Sequence, residues 1–221
     1  MGNLFKFFVV LLLPYVVLSV TTGCISKSNP STDCCSGEIE LDQNLATIEN
    51  YAFSGCSGLT GSLIIPDSVT SFEEQAFYGC SGLTGSLTIS NNVTSIGNYA
   101  FYGCSGFTGS LTLPNNVSTI GYHAFSLCTG FTGGLTLPNN ITSIGDQAFS
   151  SCSGFTGSLT IPNSVISIGS YAFSSCSGFS GSLTIPDSVT SINDQAFSQC
   201  SGFTGSLTLS NNVTKIGTSA F

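Results

Sequence analysis

The chain has 221 residues, with 11 acidic side chains against 3 basic ones and a formal charge of −8. It contains no Trp and no Arg, and its only lysines are Lys6, Lys27 and Lys215. Such a chain cannot neutralise a phosphate backbone or an anionic bilayer, so nucleic acid and acidic membrane surfaces are excluded as partners. Charged residues are only 6% of the sequence, and the surface must therefore be mostly neutral hydroxyl and amide.

The first element is a leader. Lys6 supplies its positive charge, Phe7–Val20 is apolar apart from Ser19, and Thr21, Thr22 and Gly23 are small. This three-part pattern predicts a secretory signal peptide over residues 1–23, cut after Ser19 or after Gly23. The apolar run of about 14 residues is short of the ~20 that span a bilayer. Cutting after Gly23 would leave Cys24 at the new N-terminus, and Thr21-Thr22-Gly23-Cys24 faintly resembles a bacterial lipoprotein signal, with Thr21 in place of the usual aliphatic residue. The membrane thus enters only through lipidation at Cys24 or through an anchor outside this sequence. Residues 24–38 form a cap segment. Its Cys24, Cys34 and Cys35 can brace the first coil by disulfides, with Cys56 also open as a partner; the connectivity is not deducible from sequence.

From Ile39 onward a 24-residue unit repeats, as in Leu87 to Ser110, and recurs from Leu63, Leu111, Leu135, Leu159, Leu183 and Leu207. One unit is too small to bury its own apolar face, so neighbours must stack. Leu or Ile stands in the first and third columns with Thr between them (Leu87-Thr88-Ile89), which predicts a short strand with Thr outward. Pro or Ser ends the strand, and an Asn/Asp/Ser pair turns the chain. Val93, Ile96, Ala100, Phe101, Cys104 and Phe107 point inward. The spacing of four between Ile96, Ala100 and Cys104 predicts a helical turn around Gly97–Gly103. The predicted fold is a repeat solenoid: a horseshoe of about eight coils over residues 39–221, with a parallel sheet on the concave face and helical turns on the convex side. The unit is cut at Phe221, so the domain reads as truncated mid-repeat.

The string Ile185-Pro186-Asp187-Ser188-Val189, followed by Ala196-Phe197-Ser198-Gln199-Cys200, resembles the signature of BspA-like leucine-rich repeats, also called the Treponema pallidum type. The resemblance covers roughly residues 39–221. One feature departs from it: three residues, Thr204-Gly205-Ser206, separate Phe203 from Leu207 where the family more often has two. The resemblance implies a curved solenoid on an exported or surface protein that adheres to host proteins or other cells. It implies no enzymatic activity and no cofactor.

Candidate chemistry is sparse. Cys56, Cys80, Cys104, Cys128, Cys152, Cys176 and Cys200 form a ladder of parallel side chains, which neither converge as zinc ligands nor face one another as disulfides. They read as buried thiols acting as small hydrophobes, with no metal site. His123 is the only histidine, in a column shared with Tyr51, Gln75, Tyr99, Gln147, Tyr171, Gln195 and Ser219, and reads as a surface residue. Glu73 and Glu74 are sequence neighbours that are not expected to face a shared substrate, and no acid pair has glycosidase or calcium-loop spacing. No catalytic constellation is present.

Four sequons, at Asn92, Asn116, Asn140 and Asn212, share one column. They are either N-glycosylation sites of a secreted eukaryotic protein or accidents of a turn that favours Asn. The outward strand face carries Thr84, Ser86, Thr88, Thr108, Ser110, Thr112, Thr132, Thr136, Thr156, Ser158, Thr160, Thr184 and Thr208. That grid of hydroxyls is the candidate binding face, for extracellular protein or glycan. The expected function is adhesion by a secreted or cell-surface protein. The alternative is a structural or water-ordering solenoid, ice binding included, without a macromolecular partner.

Overall fold

The computed structural model describes residues 18–20 and 36–221. Residues 36–221 wind as a parallel-strand solenoid whose neighbouring coils pair the same residue of successive 24-residue units. Each coil carries short strands in two places. One is the Leu-Thr step, as in Leu87–Thr88 and Leu111–Thr112. The other is the Ser-Ile step, as in Ser95–Ile96. Alternation buries Leu87 and Ile96 while Thr88 stays exposed, as the strand pattern requires.

Neither strand column forms one unbroken sheet. The Ser-Ile column falls into two four-stranded ladders, from Thr47–Ile48 to Thr119–Ile120 and from Ser143–Ile144 to Lys215–Ile216, with no pairing between them. The Leu-Thr column pairs two by two: Leu63–Ile64 with Leu87–Thr88, Leu111–Thr112 with Leu135–Thr136, and Leu183–Thr184 with Leu207–Thr208. At its N-terminal end the strand Ser36–Leu41 pairs parallel with Gly58–Thr60 and antiparallel with Leu18–Val20. This strand runs across residue 38, where cap and repeat were expected to meet. The rest of the leader and cap, Cys24, Cys34 and Cys35 included, lies outside the described residues.

The expected helical turn is absent: the described residues contain no helix. Gly97–Cys104 is instead a chain of reverse turns, with Ala100 N bonded to Gly97 O, Tyr102 N to Tyr99 O and Cys104 N to Phe101 O. Two residues of the segment are left-handed, Tyr99 at φ 55° and Gly103 at φ 68°. Positive φ at the third residue of a turn is the type II pattern, and it stops a right-handed helix from propagating. It also aims every second N–H along the stack axis. Tyr99, Phe101 and Gly103 donate to Tyr122, Ala124 and Ser126 of the next coil at 2.8 Å each. The same three bonds join all coils from Tyr51 to Ser198, and the first two continue to Ala220. The segment expected to be helical is therefore a hydrogen-bonded spine that runs uninterrupted along the molecule.

The core is a set of ladders. Phe53, Phe77, Phe101, Phe125, Phe149, Phe173, Phe197 and Phe221 stack ring on ring, with centroids 4.8–5.5 Å apart. A second stack runs from Phe107 through Phe131, Phe155 and Phe179 to Phe203. Leu, Ile, Val, Ala and Cys columns complete the interior. On the last coil Leu207, Ile216 and Phe221 are exposed.

Each thiol of the cysteine ladder has one fixed partner. Cys80, Cys104, Cys128, Cys152, Cys176 and Cys200 are free, and each Sγ donates to a Phe carbonyl of the preceding coil at 3.0 Å. Burial raises the pKa values of Cys104, Cys128, Cys152, Cys176 and Cys200, that of Cys152 to about 12 and that of Cys200 to about 11. These are inert hydrophobes with a satisfied S–H, as the sequence implied. Cys56 departs from the ladder, being disulfide-bonded.

Candidate binding surface

All thirteen hydroxyls of the expected face are exposed: Thr84, Ser86, Thr88, Thr108, Ser110, Thr112, Thr132, Thr136, Thr156, Ser158, Thr160, Thr184 and Thr208. They are not equivalent. Thr108 Oγ1 donates to Thr84 O (3.3 Å) and Thr156 Oγ1 to Thr132 O (3.0 Å). Ser86 Oγ donates to Ser62 Oγ (3.4 Å), and Ser110 Oγ accepts from Gly134 N (3.1 Å). These hydroxyls tie coil to coil. The Thr88, Thr112, Thr136, Thr160, Thr184 and Thr208 column makes no hydrogen bond of this kind among the described residues, so its donors and acceptors remain for a ligand. At the C-terminal end of that column lies a depression of about 630 Å³. Thr160, Thr184 and Thr208 line it together with Ser182, Asn163 and Asp187. Spacing along the column is about 4.8 Å per coil.

The sequon column has a structural task. Nδ2 of Asn92, Asn116, Asn140 and Asn212 donates to a carbonyl of the preceding coil, on Asp67, Asn91, Asn115 and Asp187, at 2.6–2.8 Å. Where Ser replaces Asn, at Ser164 and Ser188, the shorter side chain leaves its Oγ buried without a partner. Ser68 reaches Leu45 O instead. Ser164→Asn should therefore restore the missing clamp. One buried hydrogen bond is worth about 1 kcal/mol, so the melting temperature should rise by about 2–4 °C in a calorimetric scan. An unchanged or lower value would show that the clamp contributes nothing.

Acids serve the backbone in the same way. Asp146 Oδ1 accepts from Ser170 N (2.7 Å) and Asp194 Oδ1 from Thr218 N (2.8 Å). Glu73 and Glu74, sequence neighbours not expected to face a shared substrate, line one trough of about 420 Å³ with Asn50, Phe72, Ile96 and Asn98. No group of three or more His, Cys, Asp or Glu able to hold a metal occurs among the described residues.

His123 is not the plain surface residue expected. Its ring stacks on Tyr99 at 4.8 Å and meets the edge of Tyr122 at 4.1 Å and of Tyr102 at 5.7 Å. Its Nδ1 is buried without a partner, and burial lowers its pKa. The sequence signal was present but unread: Tyr78, Tyr99, Tyr102, Tyr122 and His123 fall on three successive units. A lowered folded pKa means that the unfolded chain takes up the proton first. The stability contributed by neutral His123 is thus complete above the ordinary pKa near 6.5 and is lost as pH falls through it. Between pH 7.5 and 5.5 the wild type should lose more thermal stability than His123→Gln, since Gln147 shows that the column accepts Gln. Equal losses would refute the assignment.

The chain matches the family model of the BspA type leucine rich repeat region, in 6 copies, over residues 31–154 and 131–221. Among solved structures it is similar to a T. pallidum leucine rich repeat protein at 25% identity and TM-score 0.51, covering 81% of this chain and 72% of that one. It is also similar to a leucine rich cell surface protein from Faecalibacterium prausnitzii (23% identity, TM-score 0.45, 81% of this chain and 61% of that one). A third is a leucine-rich repeat protein from Bacteroides ovatus (23% identity, TM-score 0.35, 80% and 67%). No curated protein matches the chain. Leu, Ile, Val, Ala, Phe and Cys columns stacked over the whole matched region make this chain a member of the BspA-type leucine rich repeat family.

Proposed function

We propose that this protein is an exported or cell-surface recognition module that binds an extracellular protein or glycan through its Thr column, without catalysis. The observation that carries the reading is the column Thr88, Thr112, Thr136, Thr160, Thr184 and Thr208, exposed on six coils, whose hydroxyls make no hydrogen bond among the described residues. The leader pattern of residues 1–23 supports export. Family membership supports recognition by a repeated surface. The repetition favours many weak contacts along one ligand over a single deep pocket, so affinity would come from avidity.

The test replaces Thr136, Thr160, Thr184 and Thr208 by Val, which keeps the branched shape and removes the hydroxyls. Wild type and variant are applied to a glycan array and to immobilised extracellular-matrix proteins. Binding by the wild type that drops at least about tenfold in the variant supports the proposal. No binding, or binding that the variant retains, sinks it. A regular hydroxyl column at strand spacing also suits ordering of water, so thermal hysteresis in a chain that binds no macromolecule would favour the structural alternative.

A further inference from the structure

We propose a second recognition site, on the spine and independent of the Thr column: an aromatic and acidic groove that takes a basic peptide segment. Tyr78, Tyr99, Tyr102, Tyr122 and His123 form one connected cluster. Tyr78 stacks on Tyr102 at 4.8 Å, Tyr99 meets Tyr102 at 5.6 Å and Tyr122 at 5.3 Å, and His123 stacks on Tyr99. The fold does not require these rings. The columns of Tyr102 and Tyr122 hold Ser126 and Ser170 on other coils, and Gln147 stands in that of Tyr99. Tyr122 is exposed and the other rings are half-buried.

The cluster adjoins the trough that holds Glu73 and Glu74. Asn98 and Gly121, the chain neighbours of Tyr99 and Tyr122, line that trough, and Phe72 and Ile96 also border it. Both carboxylates are exposed, and neither has an ion-pair partner among the described residues; Glu73 accepts only a long bond from Ser71 Oγ (3.4 Å). Seven of the 11 acids fall between Glu38 and Glu74, whereas the described lysine, Lys215, is on the last coil and reaches Asn193 Oδ1. Among the described residues no basic group offsets the charge of this end.

Charge selects the class of ligand. A neutral sugar can stack on tyrosines, but burying two carboxylates beneath it would cost their hydration without return. A guanidinium or ammonium group meets both surfaces: carboxylates through charge-assisted hydrogen bonds and tyrosine faces through cation–π attraction. Arg suits it better than Lys, because its planar group both stacks and bonds in a bidentate manner. His123, held neutral by burial, adds no competing charge at neutral pH. Coil spacing of about 5 Å puts Glu74 and Tyr122, two coils apart in one column, roughly 10 Å from each other. The occupant is thus an extended segment with two basic residues, not a single cation.

The test titrates the full chain at low salt with acetyl-Gly-Arg-Gly-Arg-Gly-amide and with the same peptide carrying citrulline for Arg. Tyrosine emission serves as one readout, since the chain has no Trp, and calorimetry as the other. The wild type should bind the Arg peptide, more weakly as salt rises, and should ignore the citrulline peptide. The variants Tyr102→Ser/Tyr122→Ser and Glu73→Asn/Glu74→Ser should each lose at least about tenfold in affinity. All four substitutions install residues that the same columns carry on other coils (Ser126, Ser170, Asn193), and a thermal melt confirms folding. The proposal is overturned if the Arg peptide does not bind, if the citrulline peptide binds equally, or if the tyrosine variant binds as well as wild type. Binding of maltohexaose at this cluster in place of the peptide would also overturn it.

Discussion

Phe149→Ala should destabilise this protein by about 3–5 kcal/mol, the range for truncating a buried aromatic ring, and lower its melting temperature by about 6–20 °C. Phe149 is fully buried. Its ring lies 5.5 Å from Phe125 and 5.4 Å from Phe173, with planes tilted by only 1° and 6°. Removal deletes two stacking contacts and leaves a cavity that rigid coils above and below cannot fill. In a stack held by nearest-neighbour interfaces, the loss also weakens coupling between the two halves. Amide exchange should then quicken locally at Ala148 and Ala172, on either side of the gap. Phe221→Ala is the control. That ring stacks on one neighbouring ring, Phe197, and is 46% exposed, so its loss should cost well under half as much. Equal costs at the two sites would mean that stacking on both faces is not what stabilises the ladder.

Gly154→Ala should cost about 3 kcal/mol or more, the upper end of what overpacking a rigid interior does. The added Cβ would stand 2.3 Å from Thr129 O and 2.4 Å from Phe131 O. Both atoms are backbone of the preceding coil, so no side chain can move aside. Equivalent clashes at Gly106, Gly130, Gly178 and Gly202 show that the whole column sets how closely coils approach. Gly157 separates this steric effect from backbone freedom. Its φ is +77°, yet nothing lies within 4 Å of its would-be Cβ. Gly157→Ala should therefore cost only the left-handed penalty, about 1–2 kcal/mol. Thermal melts of the two variants decide the matter. A Gly154→Ala protein as stable as Gly157→Ala would mean that coil spacing gives way more easily than the backbone contacts imply.

The inward columns were legible because their physics is periodic. A buried position on a stacked coil repeats its demand for an apolar side chain every 24 residues, and Phe101, Ala100 and Cys104 answer in almost every unit. The turn spine was misread for a definite reason. Ile96, Ala100 and Cys104 are four apart, which a helix would also require. Of the two left-handed columns that forbid a helix, that of Tyr99, His123 and Gln147 contains no Gly, and that of Gly103 holds Leu127, Ser151, Ser175 and Gln199 on later coils. Conformation there is imposed by bonds from the next coil, which one unit read alone does not reveal. The Thr face was legible as exposed. Its division into bonded and unbonded hydroxyls was not, since Thr108 and Thr112 differ only in whether a carbonyl lies within reach. Glu73 and Glu74 were passed over because their meaning lies with Asn98 and Gly121, one and two coils further on.

The spine closes every interface between coils, whereas the Ser-Ile ladder is cut between Ile120 and Ile144 and the Leu-Thr column is joined only in pairs. Between those two coils the Ser-Ile face has no strand pairing, while the spine keeps its three bonds and Gly109 O accepts from Thr132 N and Gly133 N on the Thr side. That interface can therefore open on the Ser-Ile side without breaking a strand bond, whereas opening it on either other side breaks several.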